Sequence, residues 1–382
     1  MSQVITPMKP NILVAPLDWG LGHATRCIPI IQSLLRHHCT VFLAGEGSTK
    51  SLLQKEFPQL KFLPLEGYRI TYTKNKLTLP FSIIAQVPKI ISAIKKEQQW
   101  LQNIVEKYAI DAVISDNRYG LHHPHIPSVF LTHQLNIKTS LGKWADAVLQ
   151  NINYKYINQF SECWVPDAEG ENNLAGELSH PAKIPAKSLK YIGPLSRFTS
   201  STVEKKKHIL MLLSGPEPQR SIIESSLLNQ LKNFDQPVIF VRGLPGQDEE
   251  IKVSGNVTIY NHLPAKELEE KISEAFFVIS RSGYSTVMDV MALQKKSILI
   301  ATPGQPEQKY LSKHLMEKNF ALCIPQKKFV LKTALNLAAT FDYRFPNFNN
   351  NKLDETIGQF VRDLQLKKTI IVTKNFNRKN EN

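Results

Sequence analysis

The sequence predicts an α/β protein of two doubly wound, Rossmann-like domains facing a central cleft. Three observations carry that prediction. Short apolar runs alternate with stretches of helical length, the pattern of a parallel sheet covered on both faces. The alternation stops at a polar, Lys-rich stretch, residues 199–207, and then starts again. Gly-containing turns follow several of the strand-like runs, and open parallel sheets bind ligands beyond the carboxyl ends of their strands.

In the first half, strand-like runs fall at residues 11–17, 40–44, 60–65, 109–115, 128–132, 163–165 and 191–192. Residues 23–36 and 83–108 lie between such runs and are amphipathic over helical lengths. In the second half the runs fall at 208–213, 237–241, 257–260, 275–280, 297–301 and 321–324. Residues 1–197 therefore read as the first domain, 198–366 as the second, and 367–382 as a basic, flexible tail. A chain of 382 residues is long for one core and comfortable for two.

Composition narrows the class. Hydrophobic residues make up 42% and charged residues 21%, which is globular. The 4 cysteines, Cys27, Cys39, Cys163 and Cys323, form no CxxC pair, so reduced buried thiols are expected. No signal-peptide pattern precedes the first strand-like run, and no apolar run approaches the roughly 20 residues of a membrane span. The expectation is a cytoplasmic protein, or one peripheral on the inner face of a membrane. The net charge of +14 comes without a nucleic-acid module or an Arg-rich patch interleaved with aromatics. It points to an anionic substrate or membrane surface and away from nucleic acid. Residues 73–100 set Lys74, Lys76, Lys89, Lys95 and Lys96 around an apolar series. That is a basic rim suited to an anionic membrane, or the solvated face of a core-packed helix.

The densest chemistry is Ser280-Arg281-Ser282-Gly283-Tyr284-Ser285-Thr286-Val287-Met288-Asp289. It joins a strand-like run to a helix-like run, and its Gly and hydroxyl residues free N–H groups at a helix N-terminus for a phosphate. Asp289, a turn further on, suits a ribose. Gln305, Glu307 and Gln308 follow the next strand-like run and suit sugar hydroxyls. Gly215 opens another turn, but Pro216 and Pro218 remove two donors from it. Near the start, Gly20, Gly22 and Thr25 give part of a dinucleotide fingerprint. With Glu46 beyond the second run, that keeps a nicotinamide-dependent dehydrogenase open. His23, in the same loop, is placed to act as a general base. Asp116 ends a strand-like run on the same sheet edge and can orient that imidazole. His122, His123, His125 and His133 lack a standard ligand spacing, and there is no Asp-x-Asp motif, so no metal is predicted.

Taken together these residues resemble a GT-B glycosyltransferase, and within that fold family 28, over about residues 10–340. Family 28 includes the peptidoglycan lipid II-forming GlcNAc transferases and diacylglycerol galactosyltransferases. The resemblance implies that Arg281, Ser282, Gly283, Ser285 and Thr286 hold a sugar nucleotide. It puts Asp289, where the family commonly has Glu, on the ribose, and Gln308, with Gln305 and Glu307 beside it, on the donor sugar. Gly20 and Gly22 match the family's N-terminal glycine-rich loop, which also carries a His. Arg197 and Gly215 fall at positions near the diphosphate, and Tyr260 and Leu263 where a uracil would sit. Trp19, His133 and Gln134 are assigned to the acceptor. The first domain would then bind acceptor and the second the nucleotide sugar. The loop Thr132-His133-Gln134-Leu135-Asn136 departs from the family's acceptor loop, which argues against the peptidoglycan enzyme itself. The His23–Asp116 pairing is closer to the dyad of family 1. The implied activity is metal-independent, inverting transfer from a UDP-sugar to a hydroxyl acceptor, such as a lipid- or polyprenyl-linked glycan of the cell envelope. A UDP-sugar hydrolase, a 2-epimerase and a non-catalytic nucleotide-sugar sensor are the other readings.

Overall fold

Ile12, Leu13, Val14 and Ala15 have no exposed surface, so the first strand is covered on both faces. A computed structural model of the chain describes residues 9–69, 79–139, 141–198, 207–215, 217–244 and 250–380. The first half contains β1 (Asn11–Pro16), α1 (Leu21–Arg36), β2 (Thr40–Gly45), α2 (Gly47–Glu56), β3 (Lys61–Pro64), α3 (Leu79–Tyr108), β4 (Ala112–Asp116), β5 (Ser128–Leu131), α4 (Lys143–Ile157), β6 (Glu162–Val165) and β7 (Ser188–Tyr191). Its sheet is parallel, in the order β3-β2-β1-β4-β5-β6-β7. The order reverses at β1 and β4, the switch point where such sheets open a crevice. Pro16 pairs with Asp116 there, so the β1–α1 loop and Asp116 share one sheet edge.

The second half contains β8 (His208–Leu212), α5 (Gln219–Leu231), β9 (Val238–Val241), β10 (Glu250–Ser254), β11 (Val257–Tyr260), α6 (Ala265–Glu274), β12 (Ala275–Arg281), α7 (Tyr284–Ala292), β13 (Ser297–Ile300), α8 (Pro306–Glu317), β14 (Leu322–Cys323), α9 (Leu331–Thr340) and α10 (Lys352–Asn380). Its sheet runs β10-β11-β9-β8-β12-β13-β14, and β8 and β12 flank its own switch point. The two doubly wound sheets expected from the alternation are both present. One strand was not foreseen: β10 lies antiparallel on the edge beside β11.

Residues 199–206, most of the stretch read as a linker, lie outside the described residues. The tail expected to be flexible from residue 367 instead continues α10. Nor does α10 stay with the second sheet, as a domain ending at 366 would require. Ile357, Phe360, Val361 and Leu364 recur at helical spacing and are buried. Phe360 meets Trp164 of β6 edge-on, with ring centroids 5.3 Å apart. Asp354 accepts bonds from Ser33 Oγ (2.6 Å) and Arg36 Nη2 (2.8 Å), both on α1. The helix thus straps the second half of the chain back onto the first.

The patch read at residues 73–100 falls partly outside the described residues, at 73–78, with Lys74 and Lys76. The later part of α3 serves the core. Ile94 and Leu101 are buried, and Glu97 accepts bonds from Arg118 Nη1 (2.7 Å) and Tyr68 Oη (2.9 Å). Arg118 also donates from Nε to Pro16 O at 2.9 Å, which pins the end of β1.

Candidate active site

The cleft edge of the first sheet is built on a glycine turn. Gly20 caps α1 with φ of +92°, a region that favours glycine. Gly22 follows, and a Cβ there would lie 2.8 Å from Ser285 Oγ of the second half. The close approach is used: Ser285 Oγ donates to Gly22 O at 2.8 Å. His23 then falls in the first turn of α1 and turns toward the end of β4.

Asp116, which has no exposed surface, lies 3.1 Å from His23 Nδ1. The expected pairing therefore exists. A third residue shares it. Arg26, three positions after His23, donates from Nε to Asp116 Oδ2 at 2.8 Å, and its Nη2 bonds Asp116 Oδ1. The same Nη2 lies 2.9 Å from His23 Nδ1, and Nη1 lies 3.1 Å from His133 Nδ1. Burial alone would raise the Asp116 carboxyl, but the Arg26 charge and His23 outweigh it. They hold it well below the usual carboxylate range. Arg26 was not among the residues singled out from sequence. The available signal was its spacing from His23, which puts both on one helix face.

His133 follows β5 and reaches across the cleft. Its Nε2 lies 2.8 Å from Glu307 Oε1, at the start of α8, and its ring stacks on Tyr284 at 4.0 Å. Burial lowers the His133 pKa and keeps the ring neutral. Burial would raise Glu307, but the His133 bond and the Arg26 charge more than offset it, so the net shift is downward. Tyr284 Oη donates to Pro166 O at 2.8 Å, another bond between the halves.

The other expected residues divide into three groups. Gly283 and Thr286 stand at the N-terminus of α7, and a Cβ on Gly283 would meet nothing within 4 Å. That leaves open space before free N–H groups, as a phosphate needs. Gly215 faces open space too, with φ of +113°. Trp19 stands half exposed in the β1–α1 loop, Gln134 is half-buried, and Tyr260 ends β11.

A second group is engaged within the protein. Asp289 accepts from Ser196 Oγ at 3.0 Å and faces Arg197 Nε at 3.7 Å, so the expected ribose and diphosphate residues meet each other. Burial pushes the Asp289 carboxyl up to about 6. Gln308 Nε2 donates to Gln305 Oε1 at 2.5 Å, and its Oε1 accepts from Thr302 N at 2.9 Å.

The third group is buried in the fold. Ser282 is fully buried, and its hydroxyl bonds Gln308 O and Ser312, so only its N–H can serve a donor. The Leu263 side chain packs in the core, which leaves its backbone as the part that can meet a base. Arg281 is buried beneath the loop, with bonds to Gln326 Oε1 (2.8 Å), Gln219 O (2.9 Å) and Ala301 O (3.5 Å). All three acceptors are neutral, and burial pushes Arg281 down to about 10.

The histidine cluster disperses. His122 bonds Gln98 Nε2 at 3.2 Å, His123 and His125 pair with each other, and His133 is in the cleft. Glu46, which a dinucleotide ribose would require, is held by Arg69 at 2.8 and 3.0 Å and by Gly67 N at 2.9 Å.

Residues 220–364 match the family model described as the glycosyltransferase family 28 C-terminal domain. The chain has the two-domain GT-B fold, and its second half resembles glycosyltransferase family 28. The matched segment spans α5 to α10 and includes the α7 and α8 N-termini described above. Among curated proteins the chain is similar to a UDP-N-acetylglucosamine--N-acetylmuramyl-(pentapeptide) pyrophosphoryl-undecaprenol N-acetylglucosamine transferase of Bacillus licheniformis. The two are 23% identical over 80% of this chain and 83% of the relative. The Haemophilus ducreyi protein of the same name is 21% identical over 86% and 89%. Among solved structures, the glycotransferase of kitacinnamycin superposes with a TM-score of 0.60 at 12% identity, over 97% of this chain and 99% of that one. SnogD from Streptomyces nogalater gives 0.55 at 13% identity, over 94% and 95%. These two structures speak for the fold alone.

Proposed function

We propose that this chain transfers a sugar from a UDP-sugar to a hydroxyl of a lipid-linked acceptor, with inversion and without a metal. The observation that carries the reading is the meeting, across one cleft, of the His23–Asp116 pair with the α7 and α8 N-termini. The names of the curated relatives support the UDP-sugar and the lipid-linked acceptor. In the reaction, His23 Nε2 takes the proton of the acceptor hydroxyl as its oxygen bonds the anomeric carbon. The bond from that carbon to the diphosphate breaks, and its electron pair leaves with the phosphate oxygen. N–H groups at Ser282 and Gly283, with Arg197 and Gly215, receive the leaving charge. The buried, uncompensated Arg281 adds a cation behind them. Asp289 and Gln308 serve ribose and donor sugar once the ligand draws them from Ser196 and Gln305. Trp19, His133 and Gln134 line the acceptor side.

Nucleotide binding tests the donor site directly. UDP at about a hundred times its Kd is expected to stabilise the protein by about 2.7 kcal/mol in thermal or chemical unfolding. The response should weaken in Asp289→Ala. Stabilisation by NAD and not by UDP would overturn the reading.

The acceptor side includes an apolar helix face. Trp144 is 80% exposed, and Val148 and Ile152 continue its face of α4 at four-residue intervals, also exposed. Lys143 and Lys155 lie on the same helix. That combination supports contact with an anionic membrane surface. Flotation with vesicles containing phosphatidylglycerol is expected to carry the protein upward, and Trp144→Glu to reduce the floated fraction. Equal flotation of both proteins would rule out this face.

A further inference from the structure

We propose that Arg26 is a positioning residue that sets which ring nitrogen of His23 carries the proton, under control of the donor side of the cleft through His133 and Glu307. The inference rests on the glycosyl-transfer reading above. Arg26 is buried, and a guanidinium has five N–H donors and no acceptor. Its hydrogen bonds to the two imidazoles therefore require both rings to accept at Nδ1, at 2.9 Å for His23 and 3.1 Å for His133. Each neutral ring then carries its proton on Nε2.

For His133 the assignment closes on itself, because its Nε2–H donates to Glu307 Oε1 at 2.8 Å. The result is a directional chain: Arg26 to His133 to Glu307. For His23 the same assignment has a chemical consequence. Asp116 Oδ1, at 3.1 Å, can accept from His23 only when Nδ1 holds the proton. Arg26 competes for that nitrogen at the shorter distance, and it also bonds the same carboxylate oxygen. With Nδ1 accepting from Arg26, Nε2 is already protonated and cannot take a proton from an acceptor hydroxyl. The tautomer bonded to Asp116 is the basic one.

The chain from Arg26 ends on the carboxylate assigned to the donor sugar. A sugar hydroxyl at Glu307 competes with His133 for it. Once His133 is released, the guanidinium loses its anchor on that side and withdraws from His23 Nδ1, while keeping Asp116. Nδ1–H then bonds Asp116, and Nε2 faces the acceptor as a base. A base that arms only with donor in place also keeps the empty cleft inactive.

The experiment is 15N NMR of the histidine rings in the full-length, 15N-His-labelled protein, with assignment from His23→Gln. Donor-free protein is expected to show His23 protonated on Nε2. Saturating UDP-N-acetylglucosamine or UDP-glucose is expected to move the proton to Nδ1. Arg26→Lys keeps a cation on Asp116 but loses the fork, and should show Nδ1–H without donor. Glu307→Ala, which truncates a half-buried side chain in the first turn of α8, should do the same. His23 protonated on Nδ1 in the donor-free protein would overturn the assignment, as would Arg26→Lys and Glu307→Ala spectra identical to the native one. Donor that binds by calorimetry yet leaves His23 unchanged would overturn the coupling and spare the glycosyl-transfer reading. Failure of every UDP-sugar to bind would overturn that reading and the coupling with it.

Discussion

Asp116→Asn is expected to cost about 3–5 kcal/mol of unfolding free energy near neutral pH, the usual result of breaking a buried ion pair from one side. The substitution preserves shape, so the loss reports charge. Arg26 would remain buried with no carboxylate in direct contact, since its other bonds go to the imidazoles of His23 and His133 and Glu307 lies beyond His133. Urea unfolding at pH 7 measures the difference. The pH dependence has a definite sign. The Asp116 carboxyl is depressed in the folded state, so its contribution is fully present above the unfolded value of about 3.9 and is lost as pH falls through the folded one. The gap between native and variant protein should therefore hold from pH 8 to about pH 5 and narrow only in stronger acid. A difference below about 1 kcal/mol at pH 7 would mean that Arg26 is satisfied without Asp116.

His23→Ala separates chemistry from architecture. The ring is partly exposed and touches Asp116 and Arg26, which remain bonded to each other without it. Stability should change little. Turnover should fall by about 10²–10⁴, the contribution of a positioned general base. UDP-sugar affinity should change far less than turnover, by no more than the coupling between His23 and the donor side, because the donor is held from the other side of the cleft. The comparison of kcat by product assay with Kd by calorimetry decides the matter. A fall in turnover of less than about tenfold would remove His23 as the base. A matching loss of donor affinity would make it a binding residue instead.

The site was legible where chemistry follows chain order. Gly20, Gly22 and His23 lie on a strand-to-helix turn, and Gly283 and Thr286 on another. Parallel sheets put such turns on one edge, so sequence position alone brings them near a ligand. The His23–Asp116 pair was legible for the same reason, since Pro16 and Asp116 end neighbouring strands. Side-chain allegiance was less legible. Ser282 and Leu263 stand at ligand-like positions, yet local packing claims the hydroxyl of one and the whole side chain of the other. Arg26 looked like an ordinary helix residue until Asp116, His23 and His133 converged on it from α1, β4 and the turn after β5.

By itself the sequence determined two doubly wound sheets, the edge each uses, and the chemical types that gather there. Those are consequences of local periodicity and of glycine at turns, which act over a few residues. Only the tertiary structure decided that α10 returns to the first half, that His133 reaches Glu307, and that Arg26 stands between Asp116 and two imidazoles. The physical reason is that each partner is drawn from a distant part of the chain. Buried polar groups must find hydrogen bonds wherever the fold brings them, and which groups meet depends on how packed elements are set against one another.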